Sequence, residues 1–454
     1  MPNTVVLMSD EHNPFYSEPY GHATVRTPHM LELAGRGVVY DSAYCPSPLC
    51  MPSRSAFASG RRVHEIQTYS NCNANVDPSP LSYGAALARR GVHSAHIGKC
   101  DFYAPGRDLG FSEMIRPGDR PRPGDINHRR NPMAIRKGSA KRAKGYGPRE
   151  KAGGGDARNV DAAVGWIRDT APTLESPWAL VVNVVNPHFP HFAPTEFWGM
   201  YPDGGDLPTH GAECESARHP YAEAISRHFE TDRFGEEDAR GLRRGYLACV
   251  SFVDRQLGRI AGALRDAGII DATNLVYTSD HGDMLGKFGM WWKCSLYEDA
   301  ARIPMIAAGP DFAPGRRVST PVDLHDLRAG IFAAAGVAPP PEYLGRPLQD
   351  MPASDGDRVV FSEYHGHGAP GSSYMVRKGR WKYLHYAGAP AQLFDLEDDP
   401  DELTNVAEAE AAVASDMAAE LNRICSPEAE NERAERFIER QLGTIEAEAA
   451  RDAG

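Results

Sequence analysis

Five short apolar runs punctuate the chain: VVLM (5–8), SAHIG (94–98), WALVVNVV (178–185), NLVYTS (274–279) and PMIAAG (304–309). Their length and their β-branched content predict buried strands. Helical patterns separate them. TPHMLELAGRG offers Thr27 as N-cap, Pro28 as the first helical residue and Gly35 or Gly37 as a stop. LSYGAALARRG and ARNVDAAVGWIRD also predict helices, and residues 236–267 predict a longer amphipathic one through Tyr246, Val250, Val253, Leu257 and Ile260. Strands alternating with helices specify an α/β fold with a large, mostly parallel sheet covered on both faces.

The 454 residues exceed what one such layer set needs. A stretch rich in proline and aspartate, 337–357, marks a boundary. RVVFSEY, SSYMVRKGRWKYLHY and AQLFDLEDDPDE follow it and predict a small antiparallel sheet. Two Ala/Glu/Arg-rich helices, near 404–424 and 427–448, close the chain. The expected organisation is a catalytic domain over residues 1–355 and a C-terminal α+β subdomain over 356–454.

A formal net charge of -12 argues against chain-wide binding to nucleic acid or to an acidic membrane. No apolar run approaches the roughly 20 residues of a membrane-spanning helix. The start, MPNTVVLMSDEHN, has no basic leader and runs straight into a strand, so a cytoplasmic location is expected. The eight cysteines form no CxxC pair and read as free thiols in a reducing compartment. Cys249, inside GYLACVSFV, reads as a core residue. Cys50 does not, because SPLCMPSR surrounds it with turn formers and an arginine.

Ligands of open α/β sheets gather at the carboxyl ends of strands. Four of the predicted strands end in reactive residues: Ser9-Asp10-Glu11-His12, Lys99-Cys100-Asp101, Asn186-Pro187-His188 and Asp280-His281-Gly282-Asp283. Any single aspartate there could be a helix cap. Carboxylates and histidines at several ends point to one shared site, and hard oxygen donors with one nitrogen suit Ca, Mg or Mn.

Cys50-x-Pro52-Ser53-Arg54, continuing to Ser59-Gly60-Arg61, resembles the signature of the type I, formylglycine-dependent sulfatases of the alkaline phosphatase superfamily. The Asp10-Glu11 turn, Gly98-Lys99, Asn186-Pro187-His188 and TSDHGDMLGKFGMWWK (278–293) keep that family's order, through to FDLEDDPDELTN (394–405). SAYCPSPLC, SDHGDMLG and RICSPEAENERA resemble its choline-sulfatase-like branch. The resemblance implies an alkaline-phosphatase-like sandwich and a homo-oligomer in which the terminal helices reach a neighbouring subunit, with packing on their own domain as the bland reading. It implies that a formylglycine-generating enzyme oxidises Cys50 and that the hydrated aldehyde attacks sulfur. Asp10, Glu11, Asp280 and His281 would hold a divalent metal, Ca before Mg or Mn. Arg54 and Lys99 would balance charge on the sulfuryl group, and His188 with Lys293 would protonate the leaving alcohol. Asn71 would hydrogen-bond near the sulfate; His191 and Glu363 are further candidates for contact with substrate, with a turn histidine and a plain strand end as their bland readings.

Two departures from the family pattern stand out. Asp101 occupies the place where the family carries a histidine, the base that expels sulfate; a carboxylate can take that role. Residues 116–151 hold twelve arginines and lysines against Asp119, Asp125 and Glu150. That stretch contains no tryptophan for a quaternary-ammonium cage, so a basic lid over an anionic sulfate ester is expected rather than a choline site. Hydrolysis of a sulfate ester is the leading function. A phosphonate monoester or phosphodiester hydrolase of the same superfamily, and a decayed anion-binding protein, remain open alternatives.

Overall fold

The computed structural model describes residues 1–452. A central sheet contains, in chain order, β1 (Asn3–Asp10), β2 (Gly37–Tyr40), β3 (His93–Lys99), β4 (Glu113–Gly118), β5 (Trp178–Pro187), β6 (Thr273–Ser279), β7 (Met305–Ala308) and β8 (Arg316–Val318). Their spatial order is β8-β2-β7-β6-β1-β5-β3-β4. β7 runs antiparallel to both β6 and β2, so the sheet is mixed; the other neighbours are parallel. β6, β1, β5 and β3 are consecutive neighbours, and they are the four strands with reactive ends. The topology thus delivers the four ends to one edge of the sheet.

Both faces of the sheet are covered, which explains why its strands read as unbroken apolar runs. Val5 and Leu7 of β1 pack under Trp166, Ile167, Val250, Val253 and Leu257. Those side chains come from helices α3 (Gly154–Asp169) and α4 (Glu236–Asp266). Val6 and Met8 point the other way, to Phe57 and Tyr83 and to Leu327 and Ile331 of helix α5 (Leu324–Ala334). Helix α1 (Pro28–Gly35) starts at Pro28 as expected, but Thr27 does not cap it. The Thr27 hydroxyl accepts from the Glu18 N–H instead, and the first free N–H groups of α1 donate to the Asp254 carboxylate of α4, at 3.2 Å (His29) and 2.7 Å (Met30). A tertiary carboxylate thus takes over the local capping role.

Beyond residue 358 the chain forms an antiparallel meander of β9 (Val359–Tyr364), β10 (Ser373–Lys378), β11 (Trp381–Tyr386) and β12 (Ala389–Asp395). Helix α6 (Ala411–Ile424) packs Met417 and Leu421 on Phe361, Val376 and Leu393. It begins later than the composition suggests because residues 405–406 extend the meander's edge: Leu393 N–H donates to Asn405 Oδ1, and Val406 N–H to the Leu393 carbonyl. The last helix, α7 (Pro427–Asp452), turns back onto the large domain of its own chain. Ala434 and Phe437 pack on Val63 and Tyr69, and Gln441 donates to the carbonyls of Cys72 and Ala74. The resemblance implied a neighbouring subunit as the destination of the terminal helices; here α7 buries its apolar face against segment 63–76. Among the described residues no helix is long and apolar enough to cross a membrane.

Candidate active site

Helix α2 (Cys50–Ser59) carries the SPLCMPSR motif and starts at Cys50. Gly60 ends it in the left-handed region, at φ 73°, with its N–H donating to the Ala56 carbonyl. This conformation favours glycine, which accounts for the Ser59-Gly60 pair. All ten residues of α2 are buried although half of them are polar or cysteine. Small side chains permit that close approach, and specific partners satisfy the long polar one. Arg54 donates through Nε to Asp280 Oδ2 at 2.7 Å and through Nη1 to Asn183 Oδ1 at 2.7 Å. Ser53 Oγ donates to the Asp280 carbonyl at 2.6 Å. Asn71 Oδ1 accepts the Met51 N–H at 2.9 Å, so this side chain holds the first turn of α2.

Cys50 sits where the strand ends converge. Its Sγ lies 3.3 Å from Lys293 Nζ, 3.4 Å from His281 Nε2 and 3.8 Å from Asp10 Oδ1. Asp10, Cys50, Asp280 and His281 each present a donor atom within 4.8 Å of the others, and all four are buried. Glu11 joins from the turn after β1, in the left-handed region at φ 67°; its N–H donates to Asp280 Oδ1 at 3.1 Å. Lys99 pairs with Asp10, and Lys293 Nζ lies 3.0 Å from Glu11 Oε2. Glu11 Oε1 is buried and has no hydrogen-bond partner among the described residues. Three buried carboxylates and an orphaned carboxylate oxygen are costly unless cations neutralise them. The donor set therefore fits a hard divalent cation bound by oxygens and one imidazole.

The environment divides the protons among these groups. Burial pushes the His188 imidazole well below its ordinary value, and Lys293 and Lys99 add to the effect. Burial also opposes the charge on Lys293, but Cys50, Glu11 and Asp280 together hold it above the usual lysine range. His188 Nδ1 lies 2.6 Å from the Phe189 carbonyl, which assigns the imidazole proton to Nδ1. Nε2 is left to accept from Lys293 Nζ at 2.6 Å. The Asp156 carboxylate fixes the strand end before His188 by accepting from the N–H groups of Val185 and Asn186, both at 2.8 Å.

A cavity of about 730 Å³ opens beside this cluster. Lys99, His188 and Lys293 reach it from the reaction centre, with Asn71 and Asp101. Arg116, Arg120 and Arg136 of the basic stretch form part of its wall. Arg129, Arg130 and Arg149 of that stretch are engaged away from the cavity, so the stretch does not act as a single lid. Arg129 and Arg130 pair with Glu439, Glu446 and Glu435 of α7, and Arg149 stacks on Phe192. Tryptophan does line the cavity: Trp292, with Phe189 and Phe229, supplies an aromatic wall from outside 116–151. These rings already carry cations. Arg136 and Arg142 lie over Phe229, Arg142 lies 5.7 Å from the Trp292 ring, and Lys293 lies over Phe189.

The structure moves two candidates away from the cavity. His191 is fully buried under α4, with Nδ1 3.1 Å from the Pro187 carbonyl and its ring edge-on to Tyr246. Glu363 is buried on β9 between His64 and His365, at 2.9 and 2.8 Å, and borders a separate cavity of about 300 Å³. Neither lines the large cavity: Glu363 ties β9 to His64 through its carboxylate, while His191 makes a local contact, to the Pro187 carbonyl. Sequence reasoning missed Asn183, whose only signal is one polar residue inside the apolar run WALVVNVV. It also missed Asp156, which leaves no local signal.

Comparison with known proteins places the chain in a family. The Sulfatase family profile matches residues 2–337, and the profile described as N-sulphoglucosamine sulphohydrolase, C-terminal, matches 286–426. The chain is 31% identical to a choline-sulfatase of Rhizobium meliloti over 431 residues, covering 90% of this chain and 82% of that protein. It is 29% identical to arylsulfatase K of Danio rerio over 443 residues, covering 92% and 82%. The fold also matches a phosphonate monoester hydrolase of Agrobacterium radiobacter, with TM-score 0.75, 22% identity and coverage of 93% of this chain and 95% of that one. The chain belongs to the sulfatase family and is a sulfuric ester hydrolase.

Proposed function

We propose that this enzyme hydrolyses an anionic sulfate ester through a formylglycine made from Cys50 by a formylglycine-generating enzyme, with calcium held by Asp10, Glu11, Asp280 and His281. The observation that carries the reading is Cys50 itself: a fully buried first residue of a helix, ringed by Asp10, Asp280, His281 and Lys293. A packed core has no use for a thiol among carboxylates and a lysine.

The thiol marks the position of the reactive group. Oxidised to the aldehyde and hydrated, residue 50 supplies a hydroxyl nucleophile, and a bound divalent cation supplies the Lewis acidity that makes such a hydroxyl acidic. The remaining work falls to side chains of this chain. The N-terminus of α2 presents its positive end to the sulfuryl group. Arg54, fixed by Asp280 and Asn183, maintains positive charge beneath residue 50. Lys99 and Lys293 face the cavity and oppose the charge that builds on the sulfuryl oxygens. Lys293 holds a proton at neutral pH, whereas His188 is neutral and accepts from it. Lys293 is therefore the group that protonates the leaving alcohol, and His188 orients it.

The anionic preference rests on the wall. Among the described residues Arg116 has no ion pair; its Nε donates to Asn159 Oδ1 at 3.0 Å. Arginines already lie over the aromatic faces, so those faces are not free for a quaternary ammonium. The first test is the mass of the tryptic peptide 37–54 after co-expression with a generating enzyme. An aldehyde at residue 50 is expected. Paired sulfate and phosphonate esters of one leaving alcohol then test the transferred group, since the fold is shared with a phosphonate hydrolase. An untouched thiol, under conditions that convert a control sulfatase, refutes the proposal.

A further inference from the structure

Asp101 follows β3 in the left-handed region, at φ 53°, and is only 5% exposed. One of its oxygens does two things at once. Oδ2 accepts from Arg120 Nη2 at 2.7 Å and lies 3.2 Å from Lys99 Nζ. A carboxylate oxygen engaged by a guanidinium and an ammonium is a poor proton acceptor, because any proton it takes must displace a charged partner. It is a good tether. Arg120 comes from the irregular stretch after β4, where no helix or strand positions it. Its contact with Asp101 holds it in the cavity wall beside Lys99 and Asn71. Among the described residues only Nη2 has a hydrogen-bond partner, and Nε is buried without one. Arg120 thus lines the same cavity as Lys99, His188 and Lys293, the side chains that reach it from the reaction centre.

We propose that Asp101 is a positioning residue that tethers Arg120 as a further cation of the sulfuryl cradle, alongside Arg54, Lys99 and Lys293. The unused N–H groups of Arg120 then receive a free oxygen of the bound sulfuryl group. Planar donors in a fixed fork suit that oxyanion better than a second flexible lysine would. This deepens the sulfatase reading and rests on it. It assigns Asp101 to holding charge rather than to taking a proton from residue 50.

The experiment separates the two roles. Calcium-loaded protein with Cys50 unmodified is titrated calorimetrically with inorganic sulfate, and matured protein is assayed on a sulfate ester in parallel. Arg120→Gln is expected to weaken sulfate about tenfold, the share of one charged hydrogen bond. Arg120→Lys should restore part of that loss. Asp101→Asn should weaken sulfate as well, and the double variant should be no worse than Arg120→Gln alone, because one interaction has been removed twice. Thermal melts of all variants, with Arg120→Lys as the charge-retaining control, separate this from misfolding. The inference is overturned if the parent protein binds no sulfate or if Arg120→Gln binds it as the parent does. It is also overturned if Asp101→Asn abolishes turnover while sulfate affinity is kept, the signature of a base. A matured parent with no sulfate-ester turnover would sink the proposed mechanism, while the sulfate titration would still decide the role of Arg120.

Discussion

The assignment of the leaving-group proton to Lys293 can be tested by replacing it with methionine. Lys293 is 4% exposed, and its Nζ contacts His188 at 2.6 Å, Glu11 at 3.0 Å and Cys50 at 3.3 Å. Methionine keeps most of the buried stem and removes the cation and its proton. Two losses follow. The first is electrostatic: one charged contact to the reacting centre, worth about 1.5–3 kcal/mol or roughly 10–100-fold in rate. It applies to every substrate. The second is general-acid catalysis, worth about 10²–10⁴-fold, and it applies only where the departing oxygen needs a proton. Nitrophenolate leaves without one, and an alkoxide does not. We therefore expect Lys293→Met to lose about tenfold on 4-nitrophenyl sulfate and at least about 10³-fold on an alkyl sulfate. The assay is kcat/KM over a series of sulfate esters of graded leaving-group pKa. The variant should show a steeper dependence than the parent. Equal slopes, with one uniform offset, would refute the proton assignment and leave Lys293 as a cation only. His188→Gln should produce a smaller change in slope, because it leaves the ammonium in place.

Four further outcomes follow from the geometry. Arg54→Met should lower the melting temperature and abolish turnover, since it strands the buried Asp280 carboxylate, a change worth about 3–5 kcal/mol; a melt within a degree of the parent would contradict this. Chelation should lower the melting temperature and calcium should restore it with a saturating profile, because a cation bound only to the folded state adds about 2.7 kcal/mol at 100 times Kd; the order of Ca, Mg and Mn in that titration identifies the metal. Gly98→Ala should impair both stability and rate: Gly98 has φ 91°, and a Cβ there would lie 2.2 Å from the Asn183 carbonyl oxygen, displacing Lys99; a fully active variant would refute that account. The pair of Glu363 and His64 should shape stability against pH. Burial opposes both charges, but their contact holds Glu363 below its ordinary 4.5 and His64 above 6.5. The glutamate's share is present above pH 4.5 and is lost as pH falls through its folded value. The histidine's share is complete below pH 6.5 and is lost as pH rises through its folded value. Melting temperature should fall above pH 6.5 in the parent and fall less in His64→Gln.

Much of the site could be read from local sequence because strand ends advertise themselves. An apolar run followed at once by Asp-Glu, Gly-Lys, Asn-Pro-His or Asp-His is visible without a structure, and the Cys50 motif announces a helix start. The same local logic misled at His191 and Glu363. Each looks like a reactive residue at the end of a strand, yet one lies under α4 and the other between two histidines of the packing between segments. The basic stretch was legible as charge but not as placement. Arg120 and Arg136 reach the cavity while Arg129 and Arg130, their neighbours in sequence, pair with the last helix.

Sequence alone determined the alternation of strands and helices, the identity of the residue at the centre, and the presence of acids and histidines enough for a cation. These are properties of short windows, where hydrophobic period and turn chemistry act directly on the chain. Only the tertiary structure decided which four strands stand side by side, that Asp254 and not Thr27 caps α1, and that Asn183 and Asp280 together hold Arg54. It also decided that His188 is neutral and Lys293 charged, since those states depend on burial and on charges brought within a few ångströms by residues more than a hundred positions apart. Electrostatic energy depends on distance in space and on exclusion from water, and neither quantity exists until the chain is folded.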